Sequence, residues 1–148
     1  MIKIRVEYLI DKGPEEVFDA ITDHEHYDRY PGFDTSVLLE PGKTEKNGEG
    51  ALRLLANGRV RFKERITCYE RPRKLSYHCE EVKPISMHHE RGDIILEPVG
   101  GKTKVTWISE GRLGVPVVGF LFGKLIARRA SRVFLAVLKH IDANPARA

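Results

Sequence analysis

The stretch from Val115 to Asn144 constrains this chain most, because it reads as one long helix whose buried face is interrupted by Gly119, Gly123, Ala127 and Ala130. At about 100° per residue, its second half aligns Ile126, Ala130, Val133, Phe134, Val137 and Ile141 as one apolar stripe, while Lys124, Arg128, Arg132 and Lys139 point away. That is the pattern of a helix lying on a core. Carried backwards, the same wheel puts Gly119 and Gly123 on the buried side, where large side chains ordinarily fill space at crystal-like density. Small residues there mean either close backbone contact or room for a ligand. Each glycine costs a helix roughly 1 kcal/mol relative to alanine, so the pair asks for a reason.

Upstream the periodicity differs. Ile2, Ile4, Val6, Tyr8 and Ile10 alternate with Lys3, Arg5, Glu7 and Asp11, a half-buried strand broken only by Leu9. Gly13-Pro14-Glu15-Glu16 then offers a proline suited to a first helical position and acidic residues at the positive end of a helix dipole, with Val17, Phe18 and Ile21 as the apolar side. A second short helix is expected over Asp23 to Arg29, ending before Tyr30-Pro31-Gly32 because proline disfavours helix in the residue before it. From Thr35 to Glu110 the period is two, punctuated by turn signals at Pro41-Gly42, Asn47-Gly48, Asn57-Gly58, Arg71-Pro72-Arg73, Lys83-Pro84 and Gly100-Gly101. Six strands joined as a meander follow. In the most regular of them, Arg59, Arg61, Lys63 and Arg65 separate from Val60, Phe62, Ile66 and Cys68. The order strand, two helices, six antiparallel strands and long helix defines an α+β fold, in which a curved seven-stranded antiparallel sheet wraps around the last helix.

The 148 residues suit a single domain, 1–148, since no linker, repeat or low-complexity tract divides them. A hydrophobic fraction of 41% and a charged fraction of 31% are those of an ordinary globular protein. The amino terminus alternates charged and apolar residues and has no signal-peptide core, which predicts a cytoplasmic protein. The uncharged run from Leu113 to Gly123 contains Pro116 and falls short of the ~20 residues that span a bilayer. A net charge of +4 permits weak attraction to anions. The basic residues lack interleaved aromatic side chains, however, so no nucleic-acid platform is expected.

The arrangement resembles the helix-grip fold of the START and birch-pollen-allergen (SRPBCC) superfamily over essentially the whole chain. The pieces that carry the likeness are the opening strand, Gly13-Pro14-Glu15-Glu16-Val17-Phe18-Asp19-Ala20-Ile21, the segment from Asp23 through Tyr30-Pro31, and the amphipathic carboxy-terminal helix. Within that superfamily the chain looks most like the bacterial polyketide cyclase/dehydrase and coenzyme-Q-binding branch. The resemblance implies a deep cavity between sheet and helix that holds an apolar small molecule or lipid. It also implies a cavity rim at Tyr30, Pro31-Gly32 and Phe33.

Polar groups on the inward phase are the candidate site, since burying them unsatisfied costs several kcal/mol and a ligand can satisfy them. Glu64, between Phe62 and Ile66, is one; its partner is not evident. If Ile94 and Leu96 face inward, so do His88 and Glu90, and the next strand adds Val105, Trp107 and Ser109. Glu64, His88 and Glu90 would then form the acid-base set that proton abstraction beside a carbonyl requires. Tyr8, Phe62, Tyr77 and Trp107 are aromatic on inward phases, as either core or ligand contacts. With Tyr30, Phe33, Ser109, Gly119, Phe122, Gly123 and Ile126 they make up the expected ligand-binding set.

Asp23-His24-Glu25-His26 and His88-His89 hold metal-ligating residue types, yet neighbouring or i,i+2 histidines diverge, so no metal and no cofactor is expected. There is no HExxH, GxSxG, GxGxxG or GKS/T sequence. Cys68 and Cys79, the two cysteines, are expected buried and reduced. Val117, Leu121, Leu125 and Leu135 lie on or beside the charged side of the last helix. Either other elements bury them, or Leu121, Leu125 and Arg128 touch a membrane surface or a protein. Three functions stay open: a carrier of an apolar small molecule or lipid, a cyclase or dehydratase, and an interaction module, in a monomer or weak dimer.

Overall fold

A computed structural model describes residues 1–114 and 119–144, with the side chains of the last helix described from residue 122 onward. The opening strand β1 is Ile2–Ile10, and its alternation buries Ile2, Ile4, Val6 and Ile10. Helix α1, Pro14–Ile21, starts on Pro14 with Glu15 and Glu16 in its first turn and buries Val17, Phe18 and Ile21. The helix expected over Asp23 to Arg29 is instead one 3-10 turn, Tyr27–Arg29. Side chains compete for its backbone: Ser36 Oγ accepts from the Tyr27 amide and donates to the His24 carbonyl, while the His24 side chain turns fully inward.

Strands β2 (Thr35–Glu40), β3 (Leu52–Asn57), β4 (Val60–Glu70), β5 (Lys74–Lys83), β6 (Met87–Val99) and β7 (Lys102–Leu113) follow in a meander. The sheet order is β1-β7-β6-β5-β4-β3-β2 with every neighbour antiparallel, so the first strand closes against the last. Register shifts interrupt β2, the β4–β5 pair at two places, and β6. Each bulge bends its strand and raises local twist, which curves the sheet around the final helix. The bulge between Ile66 and Cys68 also reverses the strand phase, so Tyr69 reaches the core, edge-on to Phe18 at 5.1 Å, and Cys68 is only half-buried. Cys68 therefore departs from expectation, whereas Cys79 is buried as a free thiol.

Helix α2, Gly119–Ala143, lies against β1 and β7 inside this curve. Its far end is tied down: Lys12 Nζ donates to the carbonyls of Ile141 and Asn144, and Asp142 accepts from the Asp11 amide at 2.8 Å. At this end the core is filled, with Ile10, Val17, Phe18, Ile21, Leu75, Ile94, Val105 and Leu138 all fully buried. No helix among the described residues is long and apolar enough to cross a membrane.

Candidate ligand cavity

The other end of the core is hollow. A cavity of about 580 Å³ lies between the sheet and the middle of α2, within the ordinary range for small-molecule sites. Ile126, Ala130, Val133 and Phe134 form its helical side, and Ile2 and Ile4 its β1 side. Leu55, Phe62, Val82 and Met87 continue the apolar wall across the sheet. Ala130 is thus one of the small residues that leaves room. Gly123 is not: it lies outside the cavity lining, and a Cβ there would make only an ordinary 3.5 Å contact with Ile2 Cγ1.

One buried patch of the wall is polar, and the more exposed Asn57, Glu110, Arg129 and Arg132 also border the cavity. The turn Gly58-Arg59, with Gly58 at φ +60°, pairs Asn57 with Val60, and the register then sets Arg53 opposite Glu64. Arg53 is fully buried, with Nε donating to Glu64 Oε1 at 2.9 Å and Nη2 2.8 Å from the same oxygen. Its guanidinium lies 4.8 Å from the Tyr27 ring centre and 5.5 Å from that of Tyr77, within cation–π range of both. Burial works against its charge, but Glu64 and the Tyr27 hydroxyl together more than compensate and raise its pKa further. Glu64 Oε2 in turn accepts from the Cys79 thiol at 3.4 Å. Burial, then the Glu64 charge, pushes that thiol well up, so it stays protonated.

Two histidines flank the ion pair. Arg53 Nη1 lies 3.1 Å from His24 Nδ1, which must accept because guanidinium cannot. His24 Nε2 therefore carries the proton and donates to the Asn47 carbonyl at 2.9 Å. Burial and the Arg53 charge lower its pKa to about 3, keeping it neutral. His89 Nδ1 accepts from the Cys79 amide at 3.1 Å, which leaves the proton on Nε2, 3.3 Å from Ser109 Oγ. Burial lowers its pKa against the opposing pull of Glu64. The His89 ring stacks on Tyr77 at 5.5 Å and 15°. Gly92 permits this, since a Cβ there would meet the Tyr77 ring at 2.6 Å. Tyr77 OH accepts from Trp107 Nε1 at 2.9 Å, and Trp107 stacks on Phe134 at 4.1 Å.

His88 and Glu90 do not converge with Glu64, contrary to the expectation from sequence. Glu90 is the extra residue of the β6 bulge, because His89 pairs with Gly111 and Arg91 with Glu110. The bulge offsets the phase inferred from Ile94 and Leu96 by one residue. His89 consequently faces inward, His88 is exposed, and Glu90 reaches outward to Arg112 at 2.9 Å. Among the other expected ligand contacts, Phe33, Phe62, Tyr77, Trp107, Ser109 and Ile126 line the cavity. Tyr8 does not, as its hydroxyl reaches Asp142 at 3.3 Å. Tyr30 donates to the Ala20 carbonyl and accepts from Arg29, packed outside the cavity. Phe122 points outward and is 53% exposed. Val117, the Leu121 side chain and the surroundings of Gly119 lie outside the described residues. No group of three or more His, Cys, Asp or Glu among the described residues is placed to hold a metal ion.

Arg53, Cys79 and His89 on the cavity wall, and His24 behind Arg53, are thus polar residues that periodicity alone does not single out. Arg53 had a usable signal, since a two-residue turn after Asn57 places it directly across from Glu64.

The profile of the polyketide cyclase / dehydrase and lipid transport family matches residues 1–144, and the chain belongs to that family, within the START (SRPBCC) superfamily. Its fold is the helix-grip fold. Among solved structures, it superposes on TTHA0849 from Thermus thermophilus with a TM-score of 0.76 at 20% identity, covering 95% of this chain and 94% of that one. A START superfamily protein from Mycobacterium smegmatis gives 0.77 at 12% identity, with 97% and 99% covered. Ara h 8.0201 gives 0.69 at 12%, with 96% and 97% covered. No curated protein sequence matches the chain.

Proposed function

We propose that this protein binds and carries an apolar small molecule or lipid in the cavity between the sheet and α2, as a cytoplasmic monomer or weak dimer. The observation that carries the reading is the contrast within one core. One half is packed by fully buried Leu, Ile, Val and Phe, and the other keeps about 580 Å³ open behind largely apolar walls. Unfilled apolar volume costs stability, so a ligand that fills it gains the packing the protein forgoes. Carriage suits the polar patch better than catalysis does. Both Glu64 oxygens and both His89 nitrogens have protein partners, which makes them fixed positioning groups.

Trp107 is the only tryptophan and lines the cavity at 2% exposure, so it serves as a reporter. Titration with a neutral naphthalene derivative should shift its emission saturably at one site per chain. An unchanged spectrum together with no ligand retained on gel filtration would overturn the reading.

A cyclase or dehydratase activity is the second reading, supported by a neutral imidazole, His89, on the cavity wall beside Cys79 and Ser109. It requires that His89→Asn abolish turnover of a polyketide-like substrate while leaving binding intact. Transfer to a membrane would use the outer side of α2, where Phe122 and Leu125 are each 53% exposed near Arg128. Leu125→Glu should then weaken binding to anionic vesicles without affecting cavity binding.

A further inference from the structure

The sheet parts where it covers the cavity. Only three pairs join β5 to β6: Lys74 with Ile95, Leu75 with Ile94 and Ser76 with Asp93. Beyond them, from Tyr77 to Lys83, β5 is held by β4 alone, and from Met87 to Gly92, β6 is held by β7 alone. Pro84, Ile85 and Ser86 link the two strands, so the gap is closed at both ends and open between. Both of its borders reach the cavity, Tyr77, Cys79 and Val82 on one side and Met87 and His89 on the other.

One side chain bridges the gap. The buried His89 ring extends from β6, and its Nδ1 accepts from the Cys79 amide of β5 at 3.1 Å, the part that a backbone carbonyl plays in an ordinary ladder. Its Nε2 lies 3.3 Å from Ser109 Oγ, and its ring stacks on Tyr77. The ring of His78, an exposed residue, is 5.6 Å away. His89 therefore stands between the cavity and an exposed surface of the sheet.

This bridge exists only while Nδ1 carries no proton. Protonation sets Nδ1–H against the Cys79 N–H, two donors facing each other in a buried place, which costs more than the loss of one hydrogen bond. The surroundings hold the ring neutral near pH 7, because burial and the imidazoles of His78 and His88 outweigh Glu64 of β4. Glu64 is itself engaged by Arg53 and the Cys79 thiol. On β5, burial keeps the Tyr77 hydroxyl and the Cys79 thiol protonated. On β6, Glu90 turns to Arg112 and Arg91 to Asp93. Glu110 of β7 and Arg129 and Arg132 of α2 border the same cavity.

Resting on the binding reading above, we propose that the parting between β5 and β6 is a side entrance to the cavity, latched by neutral His89 and opened when His89 is protonated. With the latch gone, no hydrogen bond ties Tyr77–Lys83 to Met87–Gly92, and the two stretches separate as a local opening of the sheet. The ligand then passes through the sheet, on the side away from α2.

The test measures the association rate of 2-methylnaphthalene by stopped-flow Trp107 fluorescence; this probe is neutral at every pH. In the wild-type protein the rate should rise about tenfold or more as the pH falls from about 7.5 to about 5. His89→Asn offers an amide oxygen near the place of Nδ1 and does not titrate, so its rate should not change with pH. His89→Ala has no latch and should associate fast at both pH values. Hydrogen exchange of the Cys79 amide, corrected for the intrinsic effect of pH, should follow the same order, with protection lost about tenfold in acid. A wild-type rate independent of pH, an acid rise that persists in His89→Asn, or unchanged protection of the Cys79 amide would overturn the latch and leave cavity binding standing. No binding of the probe at either pH would overturn the cavity reading and the latch with it. Should His89→Ala not fold, the comparison of wild type with His89→Asn decides the question.

Discussion

The two ends of the core use the same sheet for opposite purposes. At one end, α1 and the last turns of α2 press Phe18, Ile21, Leu138 and Ile141 onto Leu75, Ile94 and Val105. At the other, the helix offers Ala130 and Val133, no second helix among the described residues covers them, and the sheet places Arg53 and Glu64 on the inner wall. Under the proposed function, stability and binding fall to different halves. The packed half can supply the hydrophobic free energy of folding, which leaves the open half free to hold volume and a buried ion pair that contribute little to it.

If that division holds, truncation should be costly only at the packed end. Phe18→Ala should cost about 3–5 kcal/mol in urea unfolding, whereas Val133→Ala, bordering open volume, should cost about 1 kcal/mol or less. A comparable loss at both positions would dissolve the distinction. The ion pair offers the next contrast. Arg53→Met alone should destabilise by about 3–5 kcal/mol, because Glu64 is left buried and unpaired, while adding Glu64→Leu should restore stability to within about 1 kcal/mol.

The polar half should also govern the acid response. His24 titrates near 3 when folded and near its ordinary 6.5 when unfolded, so the unfolded chain binds more protons between these values. Its stabilising contribution is complete above pH 6.5 and is lost as the pH falls, by up to about 1.4 kcal/mol per unit. His89, also lowered, acts with the same sign. The depressed carboxyls of Glu7, Glu80, Glu81 and Asp93 begin to contribute only below about pH 5.5, as the unfolded carboxylates take up protons, so the slope between pH 6.5 and 5.5 isolates the histidines. His24→Gln keeps an acceptor for Arg53 and should flatten that slope; denaturant melts across this interval would show it. The smallest change in stability, within about 1 kcal/mol, is expected for Ala130→Phe, which grows into open space. It should nonetheless lower naphthalene binding more than tenfold.

Much of the architecture was legible because it depends on period. Alternation through Ile2, Ile4 and Val6 marked β1, and the stripe through Ile126, Phe134 and Ile141 marked the inner face of α2. The site was less legible because it depends on where period breaks. One residue, Glu90, shifts the phase of β6 and exchanges His88 for His89 on the inner face, and no composition signal announces a bulge. Arg53 sits in Ala-Leu-Arg-Leu-Leu-Ala, where an arginine reads as a solvent-facing break in an apolar strand. Only its pairing with Glu64 across the Gly58 turn makes it internal. His24 was hidden for a different reason: its burial follows from Ser36 and Arg53, partners distant in sequence.

The most direct test of the half-hollow core is native mass spectrometry of the protein isolated from its own host, with extraction and identification of any bound compound. One stoichiometric apolar molecule per chain is expected, lost on denaturation and reduced in Ala130→Phe. A bare polypeptide mass, together with no uptake of naphthalene probes by the same preparation, would contradict it.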